Sequence, residues 1–167
     1  MFREMRVAGL TVDPFTNMPI VILRDVENGN SVPIWIGLLE ASAIATELEG
    51  IVLPRPMTHD LLKNILNNLK IDISRIEVND LKDNTFYATL HLQMSGKKYA
   101  IDSRPSDAIA LALRTDSPIF MSEDVIEKSK KIDLNERGVA AKSDKEADKW
   151  TEILENLSPE DFGKYKM

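Results

Sequence analysis

The sequence predicts an α+β fold: a largely antiparallel or mixed β-sheet with helices packed on it, plus a C-terminal helical tail. Three observations lead there. Phe86, Ala88, Leu90, Leu92 and Met94 alternate with Tyr87, Thr89, His91, Gln93 and Ser95, the period of a half-buried strand. Strand-like apolar runs come in pairs joined by turn residues, at 18–26 with 31–36 and at 86–94 with 97–102. The helical segments do not alternate with strands in βαβ order, and no Gly-rich phosphate loop accompanies them.

Each element follows in chain order. Residues 5–12 are apolar-rich and stop at Asp13-Pro14. Ile20 to Leu23 form a continuous apolar run, Glu27-Asn28-Gly29-Asn30 turns the chain, and Pro33 places the returning strand at an edge or a bulge. Residues 38–49 switch to helical spacing, and Gly50 closes that helix. Pro54 and Pro56 keep 51–57 extended. Thr58 is the expected N-cap of the next helix, with Asp60 in its first turn and Leu61, Leu62, Ile65, Leu66 and Leu69 as its buried face. Ile71, Ile73, Ile76 and Val78 read as an irregular strand. Lys82-Asp83-Asn84-Thr85 and Ser95-Gly96 are turns. Ser106 is the expected N-cap of a helix running to Arg114, and Ile119-Phe120-Met121 is a short strand before a short helix opened by Ser122. Residues 128–142 lack apolar period and read as a linker. Ser143-Asp144-Lys145-Glu146 fits a capping box, and Ala147, Trp150, Ile153, Leu154 and Leu157 give the following helix an apolar stripe. The expected organisation is a domain over 1–127, a linker over 128–142 and a helical tail over 143–167.

Composition narrows function. The 167 residues carry a net charge of −6 and contain two histidines and no cysteine. The missing cysteines exclude a disulfide scaffold, an iron–sulfur centre, a cysteine nucleophile and any Cys-containing zinc site. The acidic balance argues against a nucleic-acid binder with a broadly basic surface. Aromatic residues at 6% are too sparse for a wide base-stacking platform. No stretch is long and apolar enough to span a bilayer, and the first residues lack the apolar core of a secretory signal, so the expected location is cytoplasmic with no membrane partner.

Three clusters could carry chemistry. Asp102-Ser103-Arg104-Pro105-Ser106-Asp107 sits at a strand-to-helix junction. Asp102 and Asp107 could ligate Mg²⁺ or Mn²⁺, and Arg104 could clamp a phosphate. The same residues also admit a structural role, with Asp107 stabilising the helix's first turn and Asp102–Arg104 bracing the loop. Arg55-Pro56-Met57-Thr58-His59-Asp60 places a general acid or base, His59, beside a basic residue at a helix start. Read structurally, His59 is an ordinary first-turn residue. Glu40 could join a carboxylate cluster as a third metal ligand, or serve only as a partner of its helix dipole. Lys97, Lys98, Arg55 and Asp60 are the residues placed around the substrate. His91 falls on the polar face of its strand and reads as a sheet-surface residue. Asp161-Phe162-Gly163 matches a kinase tripeptide without the rest of that machinery and is read as chance.

Three ordered phrases then carry a resemblance: Pro33-Ile34-Trp35-Ile36-Gly37 with Glu40-Ala41, Pro54 to Leu62, and Asp102 to Ala112. With Asp83-Asn84-Thr85-Phe86-Tyr87-Ala88 between them, residues 1–127 resemble the bifunctional nuclease domain family. The resemblance implies an α+β domain that forms homodimers and acts on both DNA and RNA. It carries over no settled catalytic roles, so the roles given to Asp102, Arg104, Asp107 and His59 rest on side-chain chemistry. Two readings follow: a sequence-tolerant, metal-assisted phosphodiesterase, or a non-catalytic homodimeric binding or regulatory module for a small anion or a protein.

Overall fold

A computed structural model describes residues 1–136, the side chains of 132–136 excepted. Seven strands form one sheet in the order β3-β2-β1-β7-β4-β5-β6: β1 Phe2–Val12, β2 Pro19–Asp25, β3 Ser31–Trp35, β4 Asp72–Lys82, β5 Thr85–Met94, β6 Lys97–Ser103 and β7 Ile119–Ser122. Four helices accompany them: α1 Leu38–Leu48, α2 Thr58–Asn68, α3 Pro105–Thr115 and α4 Glu123–Glu136. The α+β expectation holds, and the sheet is mixed because β7 lies parallel to β4 while all other neighbours are antiparallel.

Local chemistry explains the hairpins. Asp83-Asn84 and Ser95-Gly96 all take positive φ, so both are two-residue turns whose twist matches the flanking strands. Gly96, at φ +78°, supplies that conformation without a Cβ clash. β3 lies at one edge of the sheet, where Pro33 needs no ladder partner on its outer side. The irregularity expected around Ile76 takes the form of two register shifts in β4, between Ile73 and Arg75 and between Val78 and Asp80.

α3 is the central helix. Ala108, Ile109, Ala110, Leu111 and Ala112 are all buried, so it is apolar nearly all round. Its alanines allow close approach: α1 and α2 both pack on it, while it lies on β4 and β5. α4 packs against β4, β7 and β3.

Several expectations change. α3 starts two residues early, at Pro105, with Arg104 as its N-cap and Ser106 already inside the helix. Proline's fixed φ and missing N–H suit that first position. α2 likewise takes Met57 rather than Thr58 as its N-cap. Of α2's expected apolar face only Leu66 is buried, and Leu61, Leu62, Ile65 and Leu69 are exposed. The helix rests on α3, not over the sheet, so less of its circumference is covered. α4 continues to Glu136, through the first part of the stretch read as a linker. Ser122 starts α4 as expected, its Oγ accepting the Val125 amide at 3.2 Å. The expected tail helix and its Trp150 stripe lie outside the described residues.

Candidate functional site

The first turns of three helices converge. Each carries a carboxylate at its third helical position: Glu40 in α1, Asp60 in α2 and Asp107 in α3. Unpaired amides and aligned dipoles make those positions favourable for negative charge. Bringing three such ends together concentrates carboxylates, and two arginines offset them.

Asp107 is the hub. Its Oδ1 lies 2.9 Å from His59 Nε2, and its Oδ2 accepts a hydrogen bond from Arg104 Nε at 2.8 Å. Arg104 Nη1 donates to Glu40 Oε1 at 2.6 Å, so one guanidinium joins α1 to α3. The Arg104 side chain is 64% exposed, whereas His59 is 13% exposed. Burial by itself would raise the Asp107 carboxyl; the hydrogen bonds from Arg104 and His59 outweigh it and hold the group below its ordinary value. The hydrogen bond and charge of Asp107 in turn raise Arg104.

A second pair sets the position of His59. Asp60 Oδ1 accepts from Arg114 Nε at 2.7 Å, and Asp60 Oδ2 accepts the Met57 amide at 3.0 Å. The Arg114 side chain is 2% exposed and also donates from Nη1 to Ala110 O at 2.9 Å. Burial opposes ionisation of Asp60, but Arg114 and the Met57 amide leave its pKa lowered. The start of α2 is thereby pinned to the end of α3, and His59 is held beside Asp107. Gly37 supports Glu40: a Cβ at that position would overlap Glu40 Oε2, so the carboxylate folds back over a residue without a side chain.

The expected site residues divide into two groups. Arg104, Asp107, His59 and Glu40 meet, and Asp60 is next to them but bonded to Arg114. Asp102 does not join them. It pairs with Thr89 in the β5–β6 ladder and therefore shares the sheet face of His91, opposite to the face of Ala88, Leu90 and Ser103. Arg55 is exposed in the segment before α2. Lys97 and Lys98 begin β6, whereas Arg104 follows its end, about 20 Å away at 3.3 Å per residue.

A cation seat made of Asp102, Asp107 and Glu40 does not fit this arrangement. Both Asp107 oxygens and one Glu40 oxygen already face Arg104 or His59, and Asp102 points to the other face. No group of three or more His, Asp or Glu side chains suited to a metal occurs among the described residues. What the cluster offers instead is acid–base and electrostatic chemistry. An ionised Asp107 fixes the proton of a neutral His59 on Nε2, which leaves Nδ1 as a proton acceptor. Arg104 uses two of its five N–H groups on carboxylates and keeps the rest for an anion.

Sequence reasoning missed Arg114, which is a positioning residue here. Its only visible signal was a guanidinium on the otherwise apolar stripe of a buried helix. It also missed that His91 bonds Glu77, since nothing local in the sequence joins them.

Comparison with known proteins agrees with the ordered phrases. A sequence model described as the bifunctional nuclease domain matches residues 21–133. An uncharacterized protein of Mycobacterium tuberculosis is 36% identical over 162 residues, covering 95% of this chain and 97% of that one. Bifunctional nuclease 1 of Oryza sativa is 25% identical over 103 residues, 59% of this chain and 31% of its own. Bifunctional nuclease 2 of Arabidopsis thaliana is 24% identical over 107 residues, 62% of this chain and 32% of its own.

Proposed function

The chain belongs to the bifunctional nuclease domain family, and from that membership together with the cluster around Asp107 we propose that it is a sequence-tolerant phosphodiester hydrolase acting on DNA and RNA. The observation that carries the reading is His59 held by Asp107 beside an exposed Arg104. His59 Nδ1 takes a proton from the attacking water as its oxygen bonds phosphorus, Asp107 stabilises the imidazolium that forms, and the P–O bond to the leaving sugar oxygen breaks, that oxygen taking its proton from solvent. Arg104 neutralises charge developing on the phosphoryl oxygens. Among the described residues no base-reading module accompanies the cluster, and on this reading cleavage tolerates sequence. No step of this reading is routed through a divalent cation, for which the cluster offers no preformed carboxylate seat. No helix among the described residues is long and apolar enough to cross a membrane. The reading includes a homodimer.

The test is cleavage of end-labelled single-stranded DNA and RNA by the purified chain, with Mg²⁺, with Mn²⁺ and with chelator. The expected result is cleavage of both polymers that disappears in Asp107→Asn. Cleavage that persists unchanged in this variant removes the assignment to this site.

A second reading is a non-catalytic anion-binding or regulatory module. Its support is the full occupation of both Asp107 oxygens, which suits a brace. Tight binding of an oligonucleotide or a small anion without turnover is the result that favours it.

A further inference from the structure

β6 is an edge strand of unusual openness. It pairs only with β5 among the described residues, and every side chain from Lys97 to Asp102 is exposed. It contains no proline, and its register with β5 is unbroken. Edge strands are ordinarily blunted by charges, prolines, bulges or short length, because their free N–H and C=O groups template further pairing; β6 has only its charges, Lys97, Lys98 and Asp102, and these are of both signs. Tyr99 and Ile101 add exposed apolar area on the helix-bearing face.

We propose that the occupant of this edge is β6 of a second copy, paired antiparallel about a two-fold axis at Ala100. A two-fold perpendicular to the sheet keeps like faces together and must centre on one residue. Centred on Ala100, Lys98 lies opposite the partner's Asp102, and Tyr99 lies opposite the partner's Ile101. Opposite charges then meet on one face and apolar side chains on the other. Centring on Tyr99 would set Lys98 against the partner's Ala100 and Lys97 against the partner's Ile101. Centring on Ile101 would leave the partner's Asp102 against Ala100. Only the Ala100 register satisfies both faces over all seven residues of the strand.

The same register completes the site. Ser103 lies opposite the partner's Lys97, on the helix-bearing face and next to Arg104. Within one chain Lys97 is about 20 Å from Arg104, yet across the pair it arrives beside it. The partner's Lys97 supplies a second cation where Glu40 and Asp107 otherwise offset Arg104. The strand pairing gives a surface to the homodimer of the proposed reading, and this last step rests in addition on its phosphodiester chemistry.

The chain has no cysteine, so Ala100→Cys provides a clean probe of the full-length protein. With oxidised glutathione, the expected product is a disulfide dimer in high yield, because directly opposed residues have Cα atoms within disulfide reach. By sedimentation, Lys98→Asp and Asp102→Lys should each weaken the dimer about tenfold, and the double reversal should restore it to within about threefold. Lys98 and Asp102 of one chain are about 13 Å apart, so such rescue reports contact between copies. A wild-type dimer whose Ala100→Cys variant stays uncrosslinked overturns the proposal, as does a wild-type monomer at tens of micromolar. A monomer in which the thiol introduced by Ala100→Cys is protected from alkylation names the chain's own C-terminal segment as the occupant and also overturns it. Lys97→Ala should leave the dimer intact and weaken binding of a single-stranded oligonucleotide about fivefold at low salt. Unchanged binding overturns the completion of the site while the pairing stands. No oligonucleotide binding by any form, with the crosslink present, overturns the phosphodiester reading instead.

Discussion

The chain's two histidines sit in two clusters of the same composition, on opposite sides of the sheet. In one, Asp107 takes Arg104 Nε on one oxygen and His59 Nε2 on the other, at 2.8 and 2.9 Å. In the second, Glu77 takes Arg75 Nε at 2.6 Å and His91 Nε2 at 2.8 Å. The bonding is alike, but the construction differs. Arg75, Glu77 and His91 are neighbours in one β4–β5 ladder, so the pleat alone brings them together. Glu77 is the more enclosed carboxylate, at 11% exposure against 31% for Asp107. The Asp107 cluster gathers the starts of three helices and adds Glu40, with helix dipoles aimed at it. A trio assembled by the ladder holds the sheet. The other trio is assembled from distant elements, and its guanidinium is the more open, 64% exposed for Arg104 against 48% for Arg75; on the proposed reading it is the one that meets a ligand.

That contrast can be broken by exchanging the carboxylates for amides. Asp107→Asn should lower cleavage about 10²–10⁴-fold, the usual worth of a positioned acid–base group. Glu77→Gln should leave cleavage within about twofold and cost about 1–3 kcal/mol of stability, read by denaturant titration. Equal losses of activity in the two would erase the distinction.

Arg104 and Arg114 sharpen it further. Arg104 is largely exposed, and exposed ion pairs contribute about 0–1 kcal/mol. Arg104→Ala should therefore melt almost as wild type while losing about 10²-fold in kcat. Arg114 is buried while its partner Asp60 is 32% exposed, so removing the guanidinium costs lost packing and a charged hydrogen bond, about 1–3 kcal/mol. Arg114→Ala should melt well below wild type, with any activity loss following displacement of His59.

The acid limb of stability tests the helix-end carboxylates directly. Asp107 and Asp60 are both held below the ordinary aspartate value in the folded chain, against the opposing effect of burial, by hydrogen bonds from their arginine partners. Their contribution is complete above the unfolded value and is lost as pH falls from about 4 through the lower folded values. Asp107→Asn should flatten this part of the stability profile, measured by thermal melts from about pH 6 downward to about 2. The smallest expected effect is from Gly37→Ala. Only the flexible end of Glu40 must move, so stability should change by about 0.5 kcal/mol or less. Cleavage should fall a few-fold as Glu40 leaves Arg104, and an unchanged kcat would release Glu40 from any role in placing the guanidinium.

Most of the fold was legible because its signals are local. The alternation at 86–95, the turn residues at 83–84 and 95–96, and Pro33 at the edge each act within a few residues. The face of α2 was misread because apolar spacing shows which side of a helix seeks cover, not whether its own chain supplies it. Asp102 was misplaced for a related reason. Five residues from Asp107 in sequence, it stands on a strand whose pleat turns alternate side chains to opposite faces, and the ladder register alone decides its face. His59, Glu40, Arg104 and Asp107 were legible as chemistry, but their bonding depends on contacts across 48 and 64 residues. Arg114 was hidden because a cation inside an apolar helix shows its purpose only once Asp60 is beside it.

The central claim is that His59 and Asp107 act as one catalytic unit. A double-mutant cycle on single-stranded DNA cleavage tests it most directly, using His59→Ala, Asp107→Asn and the double variant. Residues acting as a unit are strongly non-additive, so the double variant should be no more than about threefold slower than the slower single variant. Losses that multiply, or single variants that cleave as fast as wild type, would contradict it.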